Sequence, residues 1–334
     1  MKSNVKSNLI IIAIFLALLS INFTNDSYTT VDTNKISDLR NKINIIHPEV
    51  SADLERIHID NNWTATKAAG ICTGSGTTSN PYIIENYEID GVNYQSSIFI
   101  QNSNVYFIIR KCIIFTYNYA EITLSNVTNA QIIDNDCSSG WGYGINLVNC
   151  DNNYILDNIV NSNNMDGIHL EDSNNNDISG NTINSNKGMG IRLHYSSDNI
   201  VSRNIINYNS DYGGIWLSYS SNNQIYLNCL TNNTITNAFD GQGSNNQWDN
   251  GVKGNFWSDY TGSDENGDGI GDISYNIPGP SGSQDRFPLM KCSIQDSEGG
   301  IPLEMIILIS SISGGAVIGV AALLLIIRRR KRIQ

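Results

Sequence analysis

The chain has 334 residues, enough on length alone for two domains, and its 32 Asp and Glu outweigh 20 Lys and Arg for a formal charge of −12. That balance argues against nucleic-acid binding, which needs a basic face, and suits solubility or cation capture at an exposed surface. Five of the basic residues are consecutive, Arg328-Arg329-Arg330-Lys331-Arg332, so the rest of the chain is more acidic still.

Lys2 and Lys6 precede an apolar run from Leu9 to Ile21. A basic segment followed by an apolar run of this length predicts a secretory signal peptide over 1–23. Residues 24–50 are polar and irregular and read as a linker. Strand-like text begins at Ile57-His58-Ile59 and returns at Pro81-Tyr82-Ile83-Ile84 and Tyr87-Glu88-Ile89-Asp90. Residues 51–95 are therefore expected to form an N-terminal cap and a first coil, since an open solenoid end exposes strand edges and core.

From 96 to 250 one phrase keeps returning: Gly144-Ile145-Asn146-Leu147, Gly167-Ile168-His169-Leu170, Gly190-Ile191-Arg192-Leu193 and Gly214-Ile215-Trp216-Leu217. Its isoleucines are 23, 23 and 24 residues apart. Ile132, Ile155, Ile178, Val201 and Ile225 keep the same period, as do Asn135, Asn158, Asn181, Asn204 and Asn228. A fixed period of this size marks a repeat architecture. Each unit is too short for two packed helices, and alternation within Gly-Ile-x-Leu is the two-residue period of a strand. Three strands per unit, joined by Asn-rich bends, make one coil of a right-handed parallel β-helix. The fold is all-β, with about seven coils of 23–24 residues counted along Ile98, Ile122, Ile145, Ile168, Ile191, Ile215 and Ala238. Asn suits the bends because it tolerates left-handed backbone angles and can bond amide to amide along the stack.

Residues 251–291 close the solenoid as a C-terminal cap that begins Gly254-Asn255-Phe256-Trp257-Ser258-Asp259-Tyr260. Together with the Gly74-Ser75-Gly76-Thr77 opening and the Asn-rich coils, this segment resembles the NosD-type parallel β-helix proteins. Their repeats are also called carbohydrate-binding and sugar-hydrolysis repeats. The resemblance covers roughly Ile57 to Met290 and implies the β-helix fold and an exported or surface protein. It implies little about chemistry, because one fold hosts many functions.

Within the cap, Asp264, Asn266, Asp268, the Ile270 carbonyl and Asp272 place oxygen ligands at alternate positions, with Gly269 at the sixth. That spacing predicts a structural Ca²⁺ site, although Tyr275 stands where an EF-hand has its bidentate Glu. Residues 292–304 read as a second linker. Met305 to Ile327 is a run of 23 residues without charge, long enough to span a bilayer as a transmembrane helix, and the basic tail 328–334 should stay cytoplasmic. The large domain is then extracellular on a single-pass anchor.

The outward positions of the Gly-Ile-x-Leu strands form one chemically varied strip: Asn146, His169 and Glu171, Arg192 and His194, then Trp216, with Tyr195 and Tyr219 at its edge. Aromatics beside carboxylates and an Arg are what a polysaccharide groove offers, so these residues are the candidate ligand-binding set, and a surface glycan is the expected partner. The alternatives are a polysaccharide-active enzyme using Glu171, Asp166 or Asp172 with His169 or Arg192, and a structural stalk or adhesin. Gly-His-Gly, Arg-Ile-Lys and Asp-Pro-His-Asp motifs of β-helix glycan enzymes do not occur, so the reading leans to a non-catalytic binder. Neither Met nor Cys accompanies His169 and His194 on the strip, so the copper role carried by the NosD name is not expected. The six cysteines fall in different repeat columns and are expected to be mostly free thiols.

Overall fold

The computed structural model describes residues 52–91, 94–292 and 294. The expected signal peptide, first linker, transmembrane span and basic tail lie outside these residues. Among the described residues no helix is long and apolar enough to cross a membrane.

The described chain is an all-β parallel solenoid. Ile57–Asp60, Ser96–Ser103, Ala120–Val127, Tyr143–Val148, Ile168–Glu171, Ile191–His194, Ile215–Ser218 and Ala238–Asp240 stack as one eight-stranded sheet. A seven-stranded sheet runs from Tyr82–Glu85 to Gln224–Tyr226, and a third stack consists of two four-stranded pieces bridged through Ile159. Register follows the repeat: Ile145 pairs with Ile168, then Ile191, then Ile215, and Leu147 pairs with Leu170, Leu193 and Leu217. These residues are buried and line the core. Because side chains alternate between faces, a one-residue slip would expose every one of them.

Eight coils exceed the seven that the period counts. The extra strand is Ile57–Asp60, which pairs Ile57 onto Ile98. It falls outside the 23-residue period because the intervening chain carries a short helix, Trp63–Ala68. The sequence text gave no sign of this helix, and it has a clear task. The Trp63 indole stacks on Tyr82 at 4.9 Å, packs at a tilt against Phe107 at 4.8 Å, and donates to the Ser103 hydroxyl at 2.8 Å. One aromatic side chain thus plugs the open end of the bore.

The asparagine column is a ladder. Each side-chain amide donates to the next one at 2.9–3.0 Å, from Asn135 through Asn158, Asn181, Asn204 and Asn228 to Asn255. Asn158 shows why only Asn serves. Its amide also donates to the Ile132 carbonyl at 2.8 Å, and its oxygen also accepts the Asn135 backbone N–H at 3.0 Å. Every donor and acceptor is used in a buried place where an orphan would cost about 1–3 kcal/mol. The left-handed angle expected of these asparagines belongs instead to the residue before each, as at Asp134 (φ 56°), Asp157 (φ 54°) and Leu227 (φ 58°).

A second ladder runs Asn153, Asn176, Asn199, Asn223, Asn246, and a third Asn186, Asn209, Asn233. The third explains the glycine of the repeated phrase. A Cβ on Gly167 would meet the Asn186 amide nitrogen at 2.9 Å and the Ile183 side chain at 2.6 Å. One coil inverts the arrangement: Gly140 takes the asparagine place and Glu121 the glycine place, so the Glu121 carboxyl fills the slot. Burial pushes that carboxyl well above its ordinary pKa.

The cysteine expectation needs one correction. Cys72, Cys112, Cys137 and Cys150 are buried free thiols, but Cys229 forms a disulfide with Cys292, their Cα atoms 5.4 Å apart. Column counting misses the pair because Cys292 lies beyond the repeats, where the chain folds back on the last coils.

Candidate functional site

Strand register builds the strip directly. Asn146 pairs with His169, His169 with Arg192, Arg192 with Trp216, and Trp216 with Phe239. A parallel row beside it runs Glu171, His194, Ser218. The predicted ligand-binding residues do share one face, but they divide into two environments.

The first is packed. His169 is only 5% exposed and Asn146 is fully buried, although both point away from the core. The Tyr143 ring stacks on the His169 imidazole at 4.8 Å and 19°, and Tyr119 lies edge-on to Tyr143 at 5.4 Å. Nδ1 of His169 bonds Oδ1 of Asn146 at 3.0 Å. Burial, with Arg192 and then His194 adding to it, pushes the imidazole down to about 3, so His169 is neutral at any ordinary pH. Asp166 is also buried. It accepts the Met189 backbone N–H at 2.8 Å, and burial raises its carboxyl above the usual range against the pull of that bond and of Arg192.

The second environment is open. Tyr195 and Tyr219 are 48% and 49% exposed and stack on each other at 4.9 Å and 14°. His194 packs against Tyr195 at 4.3 Å. Nearby, Trp216 stacks on Phe239 at 4.0 Å and 12°, and Tyr212 leans on its other side at 4.9 Å. Asp172 is exposed at a bend, one coil below Tyr195 in the same left-handed column.

Sequence reasoning overlooked Tyr119, Tyr143, Tyr212 and Phe239. Three of them precede the Ile of the repeated phrase by two or three residues, Tyr143 already within its strand and Tyr119 and Tyr212 just before theirs, so no single offset marks them.

The Asp264–Asp272 loop is held by its own side chains. Asp264 accepts three backbone N–H groups, from Gly267 at 2.8 Å, Asp268 at 3.1 Å and Gly269 at 2.9 Å. Asn266 and Asp268 bond each other, and Asp268 accepts the Ile270 N–H. Asp272 accepts from the Glu265 N–H at 2.8 Å.

The sequence pattern of the family described as "Periplasmic copper-binding protein (NosD)" matches residues 73–262. The chain belongs to the NosD family. None of the curated proteins matches it. Among solved structures, a double mutant of the periplasmic alginate epimerase AlgG is similar at 20% identity, over 49% of this chain and 38% of that one, with a TM-score of 0.42. The tailspike protein gp49 from Pseudomonas phage LKA1 is similar at 13% identity, over 52% and 31%, at 0.42. The Azotobacter vinelandii mannuronan C-5 epimerase AlgE4 A-module follows at 14% identity, over 52% and 57%, at 0.35. This chain thus spans less than two thirds of each of these proteins.

The family description raises copper, and the donor set here does not fit it. His169 spends one ring nitrogen on Asn146 and lies one column away from His194, which faces Tyr195. No Cys or Met stands in their rows, where cuprous copper would want soft ligands. Among the described residues no three His, Cys, Asp or Glu side chains converge on a point that could hold a metal ion.

Proposed function

We propose that this NosD-family chain is a membrane-anchored, extracellular right-handed β-helix that binds glycan along the outer face of its eight-stranded sheet, without turning the glycan over. Crossovers between parallel strands are right-handed in about 98% of cases, which supports the hand. The run 305–327 supplies the anchor, with the basic tail on the cytoplasmic side.

The observation that carries the reading is the Tyr195–Tyr219 pair. The bend after each strand of this sheet requires a left-handed residue, and five successive coils meet it with Asn61, Asn102, Asn126, Asn149 and Asp172. Asn and Asp enter that region at low cost. The next two coils use tyrosines instead, at φ 49° and 52°. Bulky rings at a place suited to Asn, stacked and half-exposed, form a flat apolar platform of the kind that sugar faces pack on. Trp216 and Phe239 extend the aromatic surface beside it.

A hydrolytic reading has less support. Asp166 lies outside the strand Ile168–Glu171 that carries Glu171, and it is buried with its carboxyl already accepting the Met189 backbone N–H. A calcium ion in the Asp264–Asp272 loop belongs to the same proposal, supported by the alternation of hard oxygen ligands in the sequence; its three carboxylates do not converge in the described structure, so the ion would have to gather them.

Affinity electrophoresis of the detergent-solubilised full chain through gels cast with polysaccharides tests the proposal. Retardation that is lost in the Tyr195→Asn/Tyr219→Asn variant supports it. Mobility unaffected by every polysaccharide, or reducing ends released during the run, refutes it.

A further inference from the structure

The packed end of the strip carries three buried nitrogen atoms without a well-formed hydrogen bond: Nε2 of His169 and Nε of Arg192 have no partner, and Nδ2 of Asn146 is approached only by the Tyr119 hydroxyl. They follow one another in a single row, because Asn146 pairs with His169 and His169 with Arg192. Asn146 is wholly buried and His169 nearly so. An orphaned buried polar group costs about 1–3 kcal/mol, so such a row makes a place whose polarity a ligand satisfies.

The pattern of the row says what kind of ligand. Nδ1 of His169 bonds Oδ1 of Asn146, so Nδ1 carries the proton, Nε2 is an acceptor and the Asn146 amide N–H a donor. Turning the amide over exchanges the two roles and leaves the Asn146 oxygen as acceptor and Nε2–H as donor. In both arrangements the pair presents one donor and one acceptor, and Arg192 adds a second donor. Because the imidazole stays neutral down to about 3, the row does not become all-donor at ordinary pH. A carboxylate, sulfate or phosphate offers acceptors alone and would set a lone pair against the row's acceptor. A sugar hydroxyl donates and accepts at once, and neighbouring ring hydroxyls repeat that offer along the row. The charges nearby point the same way: Asp166, Glu171 and Asp211 border the site on a chain of net charge −12, which repels polyanions.

We infer that the Asn146–His169–Arg192 row reads the hydroxyls of a neutral sugar and discriminates against uronate and sulfated glycans. This rests on the glycan-binding reading above and narrows it to a substrate class. Tyr119 covers the row. It is 43% exposed and edge-on to Tyr143, and its hydroxyl interacts with the Asn146 side chain, which holds down the rise in its pKa that burial and Glu171 produce, so a sugar hydroxyl would take that place on Asn146. A half-exposed ring changes rotamer in picoseconds to nanoseconds, so the sugar gains the row by displacing Tyr119.

The test compares retardation of the detergent-solubilised full chain by neutral polysaccharides (mannan, galactan and β-glucan) with retardation by polygalacturonate and heparin, at pH 5 and pH 8. The expected result is retardation by a neutral polymer only, equal at the two pH values. His169→Phe, which keeps the stack on Tyr143, should weaken it about tenfold, and so should Arg192→Met on a half-exposed side chain that the fold does not need. Polygalacturonate or heparin binding that matches the neutral polymer, or that strengthens at pH 5, overturns the inference while glycan binding itself stands. Full affinity in both variants overturns it as well. Loss of all retardation by any polysaccharide removes this inference and the proposed function together.

Discussion

Asn246 donates its side-chain amide to the Asp240 carboxylate at 2.9 Å, and with that bond the second asparagine ladder ends. The first ends in the same way: the Asn255 backbone N–H donates to Asp285 at 2.6 Å, and its side-chain amide faces the same oxygen at 3.4 Å. The third passes from Asn233 to Asn237 at 3.0 Å and from Asn237 to Asp259 at 2.7 Å. Each asparagine sends one amide N–H back to a carbonyl of the preceding coil and the other, with its backbone N–H, on to the next asparagine oxygen, so each stack finishes with donors that have nowhere to go. A carboxylate accepts without donating, and that is why all three ladders stop on Asp.

Removing a stop should therefore cost far more than an average substitution. Asp285 also accepts the Trp257 indole N–H at 2.8 Å and the Phe287 N–H at 3.0 Å. Asp285→Ala leaves these donors and Asn255 buried without an acceptor, and about 3–5 kcal/mol of stability should go with them. Denaturant melting of the protein checks this. A loss below about 1 kcal/mol would show that the ladder ends are not what holds the cap.

The same carboxyl sets a pH dependence. Burial raises Asp285 from an ordinary 3.8 to about 6, against the pull of its donors. The folded protein then binds a proton that the unfolded chain has released, so this stabilisation is complete below about 4 and fades as pH rises through about 6. Its size is on the order of 3 kcal/mol. Glu121 and Asp166, also raised by burial, act in the same direction. His169 opposes them, because its imidazole is pushed down to about 3 and the stabilisation of its neutral form is lost as pH falls below about 6.5, and so does Asp249. Burial would raise it, but the Arg286 guanidinium and backbone N–H outweigh that and hold it below its ordinary value. Its contribution is present above the usual carboxylate range and lost only as pH falls below it. Because these effects oppose one another, the Asp285 contribution is read against its own variant: the gap in melting temperature between the parent and Asp285→Asn should be wider at pH 5 than at pH 8. A gap that is equal at the two pH values, or wider at pH 8, would contradict the assignment.

The core followed from the text because a solenoid writes its register into the chain: Ile145, Ile168, Ile191 and Ile215 stack at the spacing their numbers announce. What escaped was whatever breaks the period. Ile57–Asp60 joins the sheet across an inserted helix, and Cys229 meets Cys292 from a segment that has no repeat at all. The strip was legible as a list of neighbours, since His169 and Arg192 had to be adjacent. Its burial was not legible, because Tyr119 and Tyr143 pack against the strip from the entry to their strands, at offsets that no periodicity encodes. The core makes its own quantitative claim: Ile168→Ala, in a fully buried column with Ile145 and Ile191 as neighbours, should cost about 2–5 kcal/mol.

Calcium in the Asp264–Asp272 loop has a direct thermal signature. The carboxylates there are occupied by backbone N–H groups, three of them on Asp264 alone. An ion would compete for those oxygens and tie the loop to the cap. Adding calcium to chelator-treated protein should raise the melting temperature by several degrees at 100 times the dissociation constant, about 2.7 kcal/mol, and Asp268→Ala should abolish the rise. Identical melting curves with calcium and with chelator would remove the ion from the account.

The tyrosine platform separates function from stability. Tyr195 and Tyr219 occupy left-handed positions that suit Asn better by roughly 1 kcal/mol each, while their mutual stack returns roughly 0.5–1.5 kcal/mol. The two effects nearly cancel. Tyr195→Asn/Tyr219→Asn should consequently leave the melting temperature within a few degrees of the parent, since the column already tolerates Asn at 102, 126 and 149. Glycan retention should nonetheless fall at least tenfold, because the rings are half-exposed and make no contact that the fold requires. A double variant that melts far lower would mean that the rings serve the fold. One that keeps full retention would mean that the glycan lies elsewhere on the sheet.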